Sequence, residues 1–332
     1  MTIDGKVLAL ARAELKKNKL LNENLFEEKL RMVYSVSPAI KVLDEEILSN
    51  MRELFAVALS PEKQYQIEEI RLKNLSLQEE RRTALIDAGF AENFLDDEYN
   101  CHDCRDSGYI KLEMCDCLME IYKKKQISSL SNLFKLGAET FDSFDLTYYS
   151  DNASAETSNP PRKEMEVIYE ICIQYARKFG GNSASLFFNG SPGLGKTFLS
   201  ACIAKVVSEN GYSVVYDTAS SLFSKFEEAK FTRMDQRDRP LEDANRCLAC
   251  DLLIIDDLGT ELTTSFTITA LYEIINTRLI TNKKTIVSSN LTIGELRARY
   301  SEQIMSRLEG EYQVLTFRGE DIRKIKAEKF FS

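Results

Sequence analysis

Tryptophan is absent from this chain, and histidine occurs once, at His102. A single histidine excludes a His-rich metal enzyme and any mechanism that needs two catalytic histidines. Positive charge is in deficit: 43 Lys and Arg stand against 52 Asp and Glu, a net charge of -9. That balance argues against a surface coated in non-specific nucleic-acid-binding charge, although it is compatible with a local basic groove. No run approaches the ~18 consecutive apolar residues that a membrane-spanning helix needs. The opening MTIDGKVLALARAELKKN has a short apolar patch broken by Arg12, Glu14 and Lys16, so no signal peptide is expected. The expectation is a cytoplasmic protein with no membrane partner, whose eight cysteines are reduced. The 332 residues, 44% hydrophobic and 29% charged, suit a soluble globular chain of two domains with a small third module.

The cysteines are unevenly spread. Cys101, Cys104, Cys115 and Cys117 cluster in mid-chain, apart from Cys172, Cys202, Cys247 and Cys250. Upstream, residues 1–95 read as helical and charged. Val7, Leu8, Ala11 and Leu15 follow helical spacing, as do Ile40, Leu43, Ile47, Met51, Leu54 and Phe55. Ser37-Pro38 and Ser60-Pro61 are helix starts, and a charged helical segment spans 62–87. These features predict a helical bundle over 1–95, one face of which is free to dock a partner, then a cysteine module over 96–127. Residues 128–162 read as a linker, most clearly the polar stretch Ser150–Arg162 with Pro160-Pro161.

From 163 onward strands and helices alternate. Strands are predicted at 185–189, 213–217, 251–256, 285–290 and 313–317. Helices are predicted at 165–179, 196–210, near 219–231, around 235–249, at 265–281 and near 292–309. Short, nearly continuous apolar strands with helices between them imply an α/β domain with a parallel sheet covered on both faces.

Within it, Gly190-Ser191-Pro192-Gly193-Leu194-Gly195-Lys196-Thr197 fits G-x-x-x-x-G-K-[ST] between a predicted strand and a predicted helix. Gly193 and Gly195 let the backbone bend so that successive N–H groups face a phosphate, and the helix N-terminus adds positive potential. Lys196 is assigned to the β- and γ-phosphates of ATP and the Thr197 hydroxyl to Mg²⁺; Phe198 follows within the nucleotide site. The second motif, LLIIDDLG, ends an apolar strand in acids beside that loop. Asp256 is the second candidate for Mg²⁺. Asp257 stands where such ATPases usually carry the Glu that polarises water, one methylene shorter, with Glu261 in reserve. Asn290 ends the next strand and is a candidate to orient the water, though a strand ending in Asn is also an ordinary turn. Arg307 suits an "arginine finger" aimed at a neighbour's γ-phosphate, and Arg323 is a second candidate phosphate sensor. An arginine on a helix is also an ordinary surface charge.

Cys101-x₂-Cys104 and Cys115-x-Cys117 flank a ten-residue loop that reads as a turn and strand. Two close pairs can converge on one ion, and thiolates in a reducing compartment select zinc, with an iron–sulfur centre second and free buried cysteines as the alternative. A closed four-cysteine site is structural; His102 could substitute for one cysteine, but packing or hydrogen bonding nearby is the expected role. Cys247-x₂-Cys250 leads into an apolar strand and reads as core.

GSPGLGKTFLS, LLIIDDLGTE, SSNL and the SRL around Arg307 resemble the AAA+ ATPase core of DnaC/DnaI-type helicase loaders, shared with IstB-type transposition ATPases. The resemblance implies an α/β P-loop AAA+ core preceded by a helical domain with a small zinc module, the layout of DnaI-like loaders. With only 15 residues after Phe317, the helical C-terminal lid is expected to be absent, which weakens Arg323 as a lid sensor. It further implies slow, partner-stimulated ATP hydrolysis, a replicative helicase hexamer and single-stranded DNA as partners, and self-association on the partner or with ATP. The helix at 220–233 mixes Phe223, Phe226 and Phe231 with Lys225, Lys230 and Arg233, which suits either base stacking or simple burial; Lys123, Lys124 and Lys125 are a second basic run. The rivals are a transposition ATPase and an adaptor that binds nucleotide without hydrolysing it.

Overall fold

The computed structural model describes residues 2–59, 66–96, 99–134, 139–152, 159–233 and 236–331, with backbone alone at 131–134 and 329–331. The expected helix start at Ser60-Pro61, the head of the charged segment (62–65), residues 153–158 of the expected linker and the expected helix start at 235 lie outside the described residues. The chain forms two compact units: Arg12–Leu118, and Met1–Ala11 together with Met119–Ser332. Among the described residues no helix is long and apolar enough to cross a membrane.

The smaller unit is built mainly from α1 (Gly5–Val36), α2 (Pro38–Ala58) and α3 (Gln66–Asp87). Pro38 occupies the first turn of α2 after an extended Ser37, where a missing N–H costs nothing. α2 packs on α3. Val33, Ile40, Leu85 and Leu95 form a small core flanked by Phe26, Leu30, Phe90 and Phe94. A hairpin of β1 (Tyr109–Ile110) and β2 (Glu113–Met114) follows, then α4 (Asp116–Phe134), which continues into the larger unit.

The larger unit runs α5 (Pro161–Arg177), β3 (Ser185–Gly190), α6 (Lys196–Glu209), β4 (Val214–Thr218), α7 (Ala219–Phe231), α8 (Asp238–Ala249), β5 (Leu252–Leu258), α9 (Ser265–Ile280), β6 (Lys284–Ser289), α10 (Ile293–Arg299), α11 (Glu302–Gly310), β7 (Tyr312–Phe317) and α12 (Ile322–Phe331). All pairings are parallel, in the order β4-β5-β6-β3-β7. Alternate strand residues point to opposite faces, and both faces are covered. Thus Leu186, Phe188, Leu252 and Ile254 join α5 and α6 in one core, while Phe187, Leu253, Ile255 and Val287 join α7, α9 and α11 in the other.

Two expectations differ from the structure. Pro161 is not linker but a buried residue of the first turn of α5, and Arg162 behind it donates to the carbonyls of Leu146 and Tyr149 at 3.2 and 3.0 Å. Residues 139–152 are therefore held against the sheet domain: Tyr149 is buried, and Phe144 stacks on Tyr169. The first eleven residues likewise go with the larger unit, although 1–95 reads as one helical region. The Thr2 N–H donates to Asp251 at 2.8 Å, and buried Asp4 pairs with Arg246.

Candidate functional site

β3 delivers Gly190 to the carboxyl edge of the sheet between β6 and β7. The chain turns there through Gly193 and Gly195, at φ +76° and +88°. A Cβ on Gly193 would sit 1.8 Å from the Asp321 carboxylate, and one on Gly195 would lie 3.0 Å from the Tyr149 hydroxyl, so sterics as well as φ demand glycine at Gly193. α6 begins at Lys196 with its free N–H groups at the loop.

The predicted residues converge. The Lys196 ammonium donates to the Gly190 and Ser191 carbonyls at 2.6 and 2.8 Å and to Asn290 Oδ1 at 2.7 Å. Asn290 Nδ2 in turn donates to Asp257 Oδ1 at 2.9 Å. The Thr197 hydroxyl donates to Asp256 Oδ2 at 2.9 Å. That hydroxyl and carboxylate form a hard oxygen pair that fits Mg²⁺ beside a bound phosphate. Burial pulls the Lys196 ammonium down to about 8, and Arg323 adds to the effect, while Asp257 and Asp256 oppose it. Burial, then the neighbouring Asp256, raises the Asp257 carboxyl, with Asn290 and Lys196 opposing.

The structure also accounts for aspartate at 257. The β5–β6 register is irregular between Ile255 and Leu258, and Asp257 sits in the left-handed region at φ +56°. Aspartate tolerates that conformation better than most residues, and the irregularity re-aims its side chain. Glu261 is not in reserve: its buried carboxylate accepts the Gly259 N–H at 2.9 Å and bonds the Tyr300 hydroxyl.

These groups border a cavity of about 360 Å³ lined by Pro192 through Phe198, Asp257 and Asn290, within the range of small-molecule sites. Arg323 and Lys326 of α12 line it as well, so Arg323 reaches the site from α12 itself. Sequence reasoning missed the other wall, made by Glu139, Ser143, Phe144, Asp145 and Tyr148. Its signal was the density of aromatics in FDSFDLTYY, which a solvated linker does not need. Tyr216 was missed too, and Ser288 stands out in the sequence only as part of the strand end that carries Asn290. The Tyr216 hydroxyl donates to Asp256 Oδ2 at 2.9 Å, and Ser288 bonds the other oxygen.

Arg307 is not among the residues lining this cavity. Its guanidinium lies over the Tyr272 ring, 4.7 Å from the centroid, and donates to Asn276 Oδ1 and the Tyr272 hydroxyl at 3.0 and 3.1 Å. On α7, Phe223 is core, Phe226 packs against the core, and Lys225 pairs with buried Asp217. Burial thus explains most of that helix. Phe231, 67% exposed, remains beside Phe266 with Lys230 over both rings.

In the smaller unit the Sγ atoms of Cys101, Cys104, Cys115 and Cys117 all lie within 4.8 Å of one another. The pairs Cys101–Cys115 and Cys104–Cys117 are 3.7 and 3.4 Å apart. A tetrahedron with Zn–S bonds of ~2.3 Å has edges of about 3.8 Å, so the four thiols fit zinc. Buried Asp106 braces the first knuckle by accepting the Cys101 and Asn100 N–H groups at 2.9 and 3.1 Å. The Gly108 N–H donates to Cys104 Sγ at 3.3 Å. His102 is exposed. Cys247 and Cys250 are core residues, as expected, with Cys250 packed beside buried Arg278.

A parallel sheet in this order, a glycine loop with its lysine after β3, and acids at the end of β5 define a nucleotide-binding domain of the P-loop class. Residues 174–329 match the family model described as IstB-like ATP binding protein. The chain is 29% identical over 152 residues to the replicative helicase loader DnaC of Buchnera aphidicola subsp. Baizongia pistaciae, covering 46% of this chain and 61% of that one. It is 27% identical over 135 residues to the replicative helicase loader DnaC of Escherichia coli K12, covering 41% and 54%. It thus spans between about half and three fifths of the length of these curated relatives. Among solved structures, the DnaC helicase loader superposes with a TM-score of 0.45 at 18% identity, over 56% of this chain and 99% of that one.

Proposed function

We propose that this protein is an ATP-dependent loader that places a replicative helicase hexamer on single-stranded DNA. The observation that carries the reading is the assembled Lys196–Asn290–Asp257 and Thr197–Asp256 site in a domain whose curated relatives are named replicative helicase loaders. ATP binds with its phosphates on residues 190–197 and Mg²⁺ on Thr197 and Asp256. Asp257 and Asn290 hold the attacking water, and Arg307 of one copy serves the ATP of the next. Zinc on the four cysteines stabilises the module over 96–127, which with the helices of 1–95 grips the helicase. Exposed Phe231 and Lys230, beside half-buried Phe266, are the part of the α7 region left for DNA.

A second reading, an ATPase of transposition, is favoured by the IstB-like description of the matching family model. The mid-chain cysteine module speaks against it, since IstB-type proteins lack one. Co-purification separates the two. The full chain with MgATP should retain the replicative helicase of the same organism and not a transposase; retention of the transposase alone would reverse the assignment. Phosphate release with helicase and single-stranded DNA present tests the non-hydrolysing alternative, which predicts none.

A further inference from the structure

A loop that turns its N–H groups toward a phosphate must turn carbonyls the other way, into the protein. Buried carbonyls need donors. Within this loop the Gly190 and Ser191 carbonyls are served by Lys196. The next two partners come from far away in the chain. The Gly193 carbonyl accepts the Ile322 N–H at 3.1 Å, and the Leu194 carbonyl accepts the Tyr149 hydroxyl at 2.9 Å.

Leu194 is 1% exposed and Tyr149 2%, so water does not replace that donor in the closed structure. Burial raises the Tyr149 phenol further above its usual range, which keeps it a donor at any physiological pH. Tyr149 is itself held: its carbonyl accepts from Arg162 Nε at 3.0 Å, and its hydroxyl stands where a Cβ on Gly195 would approach to 3.0 Å. The only hydrogen-bonding role of the phenol among the described contacts is therefore toward the crown of the phosphate loop.

We infer that Tyr149 is a positioning residue for nucleotide phosphates, holding the Leu194 carbonyl turned into the protein so that the N–H groups of the loop face the phosphate site before nucleotide arrives. The inference rests on the nucleotide-site reading and deepens it. Residues 139–152 are then a strap that belongs to the phosphate site, although the linker pattern placed them outside it. Without the hydroxyl, the free loop gains by rotating the Leu194 carbonyl toward water, and nucleotide must reverse that rotation on binding. An unsatisfied buried acceptor corresponds to at least about five- to tenfold in an equilibrium constant.

The test uses the full chain with a fluorescent MgADP analogue. Tyr149→Phe keeps the ring and its packing. It should bind about five- to tenfold more weakly than wild type, while its melting temperature without nucleotide stays within a few degrees. Hydrogen exchange of the nucleotide-free protein should speed up at the amides of 193–197 and not in β3 or β6. A purely structural tyrosine would lower the melting temperature and leave the affinity of the folded protein alone. Unchanged affinity and unchanged loop exchange in Tyr149→Phe, with wild type binding and Lys196→Ala not, would overturn the positioning role and leave the nucleotide site standing. Failure of wild type itself to bind MgADP overturns both. Should the variant melt too low for titration, the exchange measurement in the cold decides by the same criterion.

Discussion

Nucleotide binding should depend on pH in a range where the nucleotide itself no longer titrates. Lys196 is brought down to about 8 by burial, assisted by Arg323 and opposed by Asp257 and Asp256. In the free protein its charged fraction then falls from about nine tenths at pH 7 to about one tenth at pH 9. Phosphate oxygens bind the charged form and hold it charged. The sign follows: affinity for MgADP is full below pH 7, declines as pH rises through 8, and is about tenfold weaker at pH 9 than at pH 7. The same linkage requires proton uptake, about three quarters of a proton per MgADP bound at pH 8.5. Titration calorimetry in two buffers of different ionisation enthalpy reads that number directly. Lys196→Arg supplies the control, because its guanidinium stays charged across this range. It should bind with no proton uptake and no slope between pH 7 and 9. Uptake near zero at pH 8.5 in wild type, or equal uptake in Lys196→Arg, would refute the reasoning.

Three further outcomes are expected. Metal analysis should find one zinc per chain, and Cys104→Ser should abolish it; because a structural zinc is worth about 10–16 kcal/mol in small modules, residues 12–118 should become protease-sensitive while MgADP binding by the larger unit persists. Mixing Arg307→Ala with Lys196→Ala protein on the helicase should restore part of the stimulated ATPase that each lacks alone; no recovery while both variants still assemble would show that Arg307 does not act between copies. Arg278, fully buried, donates to the carbonyls of Cys247, Leu248 and Cys250 at 2.8, 3.0 and 3.0 Å and to Thr285 Oγ1 at 2.9 Å, so Arg278→Met should lose about 4 kcal/mol or more in urea unfolding, since several buried acceptors lose their donor together; a loss under 1 kcal/mol would contradict that.

The parts legible in the sequence are those whose physics is local. A phosphate loop works through successive backbone N–H groups, so its glycines, Lys196 and Thr197 are neighbours in the chain and announce themselves. Two cysteine pairs at close spacing do the same, as do apolar strands buried on both faces. Asp256 and Asn290 were placed from strand ends alone, because a parallel sheet brings the carboxyl ends of its strands to one edge. What the tertiary structure decided is everything that requires a partner distant in the chain. The pairing of Asn290 with both Lys196 and Asp257 is of this kind, as is the left-handed turn that suits aspartate at 257. So is the departure of Glu261 to Tyr300 and of Arg307 to Tyr272. Residues 139–152 looked like a spacer because they run into the polar stretch Ser150–Arg162, yet Tyr149 and Phe144 are ordered by surfaces contributed by α5, α6 and the loop itself. The carbonyls at the back of the phosphate loop had to be satisfied, and no local pattern encodes which side chain, 45 residues upstream, supplies the donor.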